Sequence, residues 1–200
     1  MTIEQYVQNT AATIVYPETV ESDYLVHGLV DEAGELHEIL YYGAELEPEF
    51  DVIADASQSF YVAPDQKKVM HEAGDVMWYL ARLVKTEDYN VDFQRCQAGL
   101  KNVKQRIEET AEEEAPILAG EFATSVFLLA SKFGGLHKKA LRGDGDKTQE
   151  KEAIIHEIVR GLYVVSLAVG YEFEDMMQSN IDKLMSRKQR GVIAGNGSQR

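Results

Sequence analysis

Two stretches of helical length carry nearly the same tetrapeptide, Glu32-Ala33-Gly34-Glu35 and Glu72-Ala73-Gly74-Asp75. Residues three apart in a helix share a face, with Cβ atoms about 5–6 Å apart. Each tetrapeptide therefore presents a pair of carboxylates. The spacing alone is common in this acidic chain and recurs at Glu18/Glu21, Glu35/Glu38 and Glu109/Glu112. Position separates the two pairs from those. Glu32 and Glu35 fall among Leu29, Leu36 and Ile39, and Glu72 and Asp75 among Val69, Val76 and Tyr79. Carboxylates beside an apolar stripe need a partner or a metal. Four crowded carboxylates repel one another, and without a cation some take up protons. Oxygen ligands with no His or Cys at ligand spacing suit Mg²⁺, or Mn²⁺, rather than zinc. Such ions keep several waters and bind substrate phosphates. A mid-helix glycine costs about 0.5–1 kcal/mol relative to alanine, so Gly34 and Gly74 predict close helix approach.

These residues need helices to position them, and the patterning supplies helices. Residues 2–15 read as a short helix ended by Pro17. Leu25, Leu29, Leu36 and Leu40 predict a long helix over 18–42, with Gly43 at its stop. Val69, Ala73, Val76, Met77, Leu80, Leu83 and Val84 predict a second over 65–85. Residues 44–66, with Pro48 and Pro64, read as a loop. Further helices are expected over 90–114, 117–141, 148–169 and 173–189, with Arg142–Lys147 as a turn. The glycine-rich tail from Gly191 to Arg200 is expected to be mobile. No segment alternates with a period of two, so the expected architecture is all-α, a helical bundle.

The halves resemble each other. Glu21, Val26, Leu29, Gly34, Leu36, His37 and Gly43 fall on Glu121, Val126, Leu129, Gly134, Leu136, His137 and Gly143. His71-Glu72 falls on His156-Glu157, and Ala98/Lys101 on Asn180/Lys183. The offset changes only in loops, as in a duplication, with one repeat over 1–115 and the other over 116–200. The second copy has lost most of the acids. Lys132, Gly135 and Arg160 stand where Glu32, Glu35 and Asp75 stand in the first, and only Glu157 remains. The expectation is a fused pseudo-dimer with one working acidic site, either alone or paired again as a homodimer.

A formal net charge of -14 opposes binding to nucleic-acid polymers. A small anionic substrate bridged by a cation is compatible with it. The single cysteine, Cys96, excludes an internal disulfide and fits a reducing compartment. The N-terminus has no basic region followed by an apolar run. The longest apolar run, near Leu162–Val169, is far short of the ~18 residues of a membrane span. A cytoplasmic protein with no membrane association is expected.

The acids resemble the pattern of the MazG-type all-α nucleoside triphosphate pyrophosphohydrolases, whose superfamily includes the dimeric dUTPases. That pattern is Glu-x-x-Glu, a spacer, then Glu-x-x-Asp and an apolar continuation, here Val76-Met77-Trp78-Tyr79-Leu80-Ala81. Asn180-Ile181-Asp182-Lys183-Leu184 and the basic stretch Arg187-Lys188-Gln189-Arg190 are also similar to family elements. The resemblance implies that Glu32, Glu35, Glu72 and Asp75 hold Mg²⁺ and activate water for attack on the α-phosphorus of a nucleoside triphosphate. The products would be a monophosphate and pyrophosphate, a reaction of nucleotide metabolism. It further implies that Lys183 offsets phosphate charge, that Asn180 hydrogen-bonds substrate, and that Arg187 and Arg190 contact phosphate. Two features depart from the pattern. The Asn-x-x-Lys element follows the second copy, so acids from one half would meet Asn and Lys from the other. The tail has no acidic residue near its end.

Other residues have plainer expectations. His37, His71, His137 and His156 read as packing or hydrogen-bonding residues, and Trp78 and Tyr79 as core. Tyr41, Tyr42, Phe60 and Tyr61 are candidates for contact with a base. Lys138, Lys139 and Arg142 read as a solvated face, and Cys96 as inert. A di-iron bundle would need Glu-x-x-His pairs, and none occurs. The rival function is a non-catalytic nucleotide-binding or regulatory protein on the same fold.

Overall fold

Apolar residues recurring every three to four positions along most of the chain leave each segment one face to bury. The computed structural model describes residues 1–42, 65–110 and 114–192. In it those segments become seven α-helices, α1 (Ile3–Asn9), α2 (Glu21–Tyr42), α3 (Gln66–Thr86), α4 (Phe93–Glu108), α5 (Ala115–Leu141), α6 (Thr148–Ala168) and α7 (Phe173–Gln189). Short 3₁₀ turns cover Thr10–Thr13 and Glu18–Val20. No strand occurs among the described residues. The loop expected over 44–66 and the tail beyond Val192 lie almost entirely outside the described residues.

Local chemistry sets the helix ends. Thr2 and Gln5 form a reciprocal capping box at the start of α1, which satisfies two backbone N–H groups. The Asp65 carboxylate accepts from the N–H groups of Lys67 and Lys68 and caps α3. Gly143 and Gly170, at φ +87° and +86°, turn the chain after α5 and α6. The helix expected over 90–114 is shorter. α4 begins at Phe93 and ends at Glu108, because the acids from Glu108 onward sit at the negative end of the helix dipole.

The pairings are reciprocal. α2 packs on α3 and α5 on α6, α2 crosses α5 between those pairs, α7 rests on α3 and α4 on α6. One buried cluster runs from Ile3 and Tyr6 through Leu29, Leu36, Met77, Phe133 and Ile158 to Ile181. It continues across the 115/116 boundary without a break. α5 is the one described helix long and apolar enough to cross a bilayer by length and composition. Its apolarity is spread over alanines and glycines as well as large side chains, so no single run shows it. Its Ala123, Val126, Ala130 and Phe133 are buried in a helix packed on α2 and α6.

Candidate metal centre

The packing of α2 on α3 brings the two acidic tetrapeptides face to face. One carboxylate oxygen each from Glu32, Glu35 and Glu72 lie within 4.8 Å of one another. Glu72 is 4% exposed. Burial, then the charges of Asp75, Glu35 and Glu72, push the Glu32 carboxyl up to about 9, with Lys183 opposing. Glu32 therefore holds its proton at neutral pH in the metal-free protein. The donor set of three clustered carboxylate oxygens fits a hard divalent cation, whose charge would offset the burial and repulsion that together protonate Glu32.

Asp75 lies in the same pocket wall, but its oxygens face α7. Asn180 Nδ2 donates to Asp75 Oδ1 at 2.7 Å, and Lys183 Nζ donates to Asp75 Oδ2 at 2.5 Å. The expected quartet is thus three clustered acids and a fourth tied to the Asn-x-x-Lys element. That element comes from the far end of the chain, so acids from one half do meet Asn and Lys from the other. Asn180 was expected at the substrate. It is instead 1% exposed, off the pocket wall and behind Asp75. Its Oδ1 accepts from the Tyr6 hydroxyl at 2.8 Å.

Gly74 permits this arrangement. A Cβ there would lie 2.9 Å from Asn180 Cβ, so α3 and α7 approach closely only without one. Gly34 differs from the expectation of close approach. A Cβ there would meet the Phe127 ring at an ordinary 3.6 Å.

The acids open onto a pocket of about 1450 Å³ that Lys183 and Arg187 also line. Arg190 is off its wall, and its Nε donates to the Ser186 carbonyl at 3.4 Å. His71 lines the pocket and is held below its usual value, first by burial and then by the Lys183 charge. The opposite wall comes from α5, including Phe127, Gly134 and Gly135. Tyr79 also lines the pocket. Its ring fills the space beside Gly28, where a Cβ would lie 2.1 Å from it, and its hydroxyl is 3.3 Å from that of Tyr24. Trp78 is core, as expected, and donates to Thr13 Oγ1 at 2.8 Å.

The other expected residues divide. His37 stacks on Phe127 with centroids 5.7 Å apart, His137 contacts Asp23 at 2.7 Å and His156 contacts Cys96 at 2.8 Å. Lys138 and Lys139 are exposed, and Lys138 lines the pocket. Arg142 pairs with Asp144. Phe60, Tyr61 and the side chain of Tyr42 lie outside the described residues. Sequence reasoning missed Tyr6, which falls on the apolar stripe of α1 with Ile3 and Val7. Comparison of the chain with protein-family models, with curated proteins and with solved structures finds no match. The class that fold and site define is an all-α bundle with a pocket-lining cluster of carboxylates.

Proposed function

We propose that this chain is a Mg²⁺-dependent pyrophosphohydrolase that converts nucleoside triphosphates to the monophosphate and pyrophosphate. The observation that carries the reading is the approach of Glu32, Glu35 and Glu72 to within 4.8 Å in a pocket that also holds Lys183 and Arg187. Acids and cations on one wall suit a triphosphate bound with a divalent ion. Glu32, Glu35 and Glu72 would hold Mg²⁺, and Mn²⁺ would serve the same donors. When bound, the ion lowers the pKa of its water and offsets phosphate charge. Lys183 and Arg187 would bind phosphate oxygens, and Asp75 would hold Lys183 in place. The α5 wall and the Tyr24/Tyr79 pair bound the space left for sugar and base. The reciprocal helix pairing supports the reading of two fused repeats, 1–115 and 116–200, and the enzyme is proposed to be cytoplasmic.

A second reading is a nucleotide-binding protein without turnover. The engagement of both Asp75 oxygens by α7 favours it, because only three acids then remain for the ion. One assay separates the two. Purified protein is incubated with Mg²⁺ and the canonical ribo- and deoxynucleoside triphosphates plus dUTP, and products are identified by chromatography. The enzyme reading expects monophosphate and pyrophosphate, reduced more than about 100-fold in Glu35→Gln and Asp75→Asn. Metal-dependent binding without products moves the conclusion to the second reading. Turnover that survives both substitutions places the chemistry elsewhere.

A further inference from the structure

We propose that Tyr6 is a positioning residue for the metal centre, its phenol acting through Asn180 to fix the Asp75 carboxylate beside the acidic cluster. The inference rests on the metal-centre reading above. It begins with the two ends of the Asn180 amide, one of which donates and the other accepts. Asp75 Oδ1 lies 2.7 Å from Asn180 Nδ2. Asp75 Oδ1 accepts this bond, so the NH₂ end faces it. The carbonyl end is then turned toward α1, where the Tyr6 hydroxyl lies 2.8 Å away. A phenol has one proton to donate. The other acceptor within reach, the Gly74 carbonyl, is farther at 3.3 Å.

Burial makes the arrangement a requirement. Tyr6 is 0% exposed and Asn180 is 1% exposed, so solvent cannot replace a lost donor. Without the phenol proton, Asn180 Oδ1 is a buried acceptor with no donor, and its amide has reason to rotate. Asp75 then loses one of its two α7 contacts and keeps only Lys183. Because Asp75 lines the same pocket as Glu32, Glu35 and Glu72, a displaced Asp75 changes the field at the cluster. Groups that orient metal-site carboxylates typically change metal affinity by about 10–100-fold when removed.

The test titrates Mn²⁺ into the full chain, followed by electron paramagnetic resonance well below the melting temperature. Tyr6→Phe, Asn180→Ala and the double variant are compared with wild type. Thr13→Val is the control, because it removes another buried hydrogen bond of the same core, to Trp78, with no link to Asp75. Tyr6→Phe and Asn180→Ala are each expected to weaken Mn²⁺ binding about 10–100-fold. The double variant is expected to bind no worse than Asn180→Ala, since coupled residues are not additive. Thr13→Val is expected to match wild type. Wild-type affinity in Tyr6→Phe, additive losses, or an equal loss in Thr13→Val would each overturn the role of Tyr6. A wild type that binds no Mn²⁺ overturns the metal centre itself, and this inference with it. The metal-free wild type gives a further reading by NMR. The Asn180 side-chain amide protons, assigned by their loss in Asn180→Ala, are expected to resist solvent exchange. Exchange at the rate of a free amide would overturn the chain even if Tyr6→Phe does not fold.

Discussion

Glu32 bears an electrostatic cost when no cation is present. Its carboxyl titrates near 9 in the folded protein against an ordinary 4.5. Between those values the unfolded chain has lost the proton and the folded chain has kept it, so stability falls as pH rises through that window. Glu32→Gln should therefore raise the melting temperature of metal-free protein at pH 8 and leave it nearly unchanged at pH 4. Added Mg²⁺ should stabilise wild type and have little effect on the variant. Calorimetry at the two pH values, with and without Mg²⁺, checks both. Cys96 is pushed up to about 11 by burial, then by Asp92. At pH 8 it should react with a disulfide reagent far more slowly in the native protein than in denaturant, and equal rates would show it accessible. The acids were legible in the sequence because spacing and flanking apolar residues together mark a helix face. Asn180 was legible as a polar residue of the site but not in its direction. Its amide points inward because its second partner, Tyr6, is 174 residues away, and no local pattern reports that contact.

At the scale of elements, the two tetrapeptide glycines separate. A methyl at Gly74 would crowd Asn180 at 2.9 Å, so Gly74→Ala should cost about 1–3 kcal/mol through overpacking, despite its better helix propensity. Gly34 meets only ordinary contact at 3.6 Å. Gly34→Ala should stabilise by about 0.5–1 kcal/mol. Urea denaturation of the two variants side by side checks the contrast, and equal effects would mean that α7 does not press on α3. The sequence marks both glycines alike, since a helical pattern records which face is apolar and not how near the next helix comes. Helix number and order were readable for the same reason, while the end of α4 depended on acids opposing the helix dipole.

Across the whole molecule, the 115/116 boundary divides the sequence pattern but not the core. α2 of the first half is buried against α5 of the second, and Phe133, Ile158 and Ile181 belong to the same cluster as Ile3 and Leu29. A fragment of residues 1–115 should accordingly melt without a cooperative transition, and mixing with 116–192 should restore one. Circular dichroism of the pieces and the mixture reads this, and a fragment that melts sharply alone would establish an independent domain. The matched residues of the two halves predict a duplication, and no sequence pattern records how far the faces of the two halves are shared. The link from Tyr6 to Asn180 also has a consequence for biosynthesis. α1 leaves the ribosome well before its site partner Asn180, which follows Tyr6 by 174 residues. The acidic pairs of α2 and α3 are therefore made before Asn180 and Lys183, which follow Asp75 by 105 and 108 residues, and the centre can close only after α7 has emerged. A product truncated before Asn180 would carry all four acids and no assembled site.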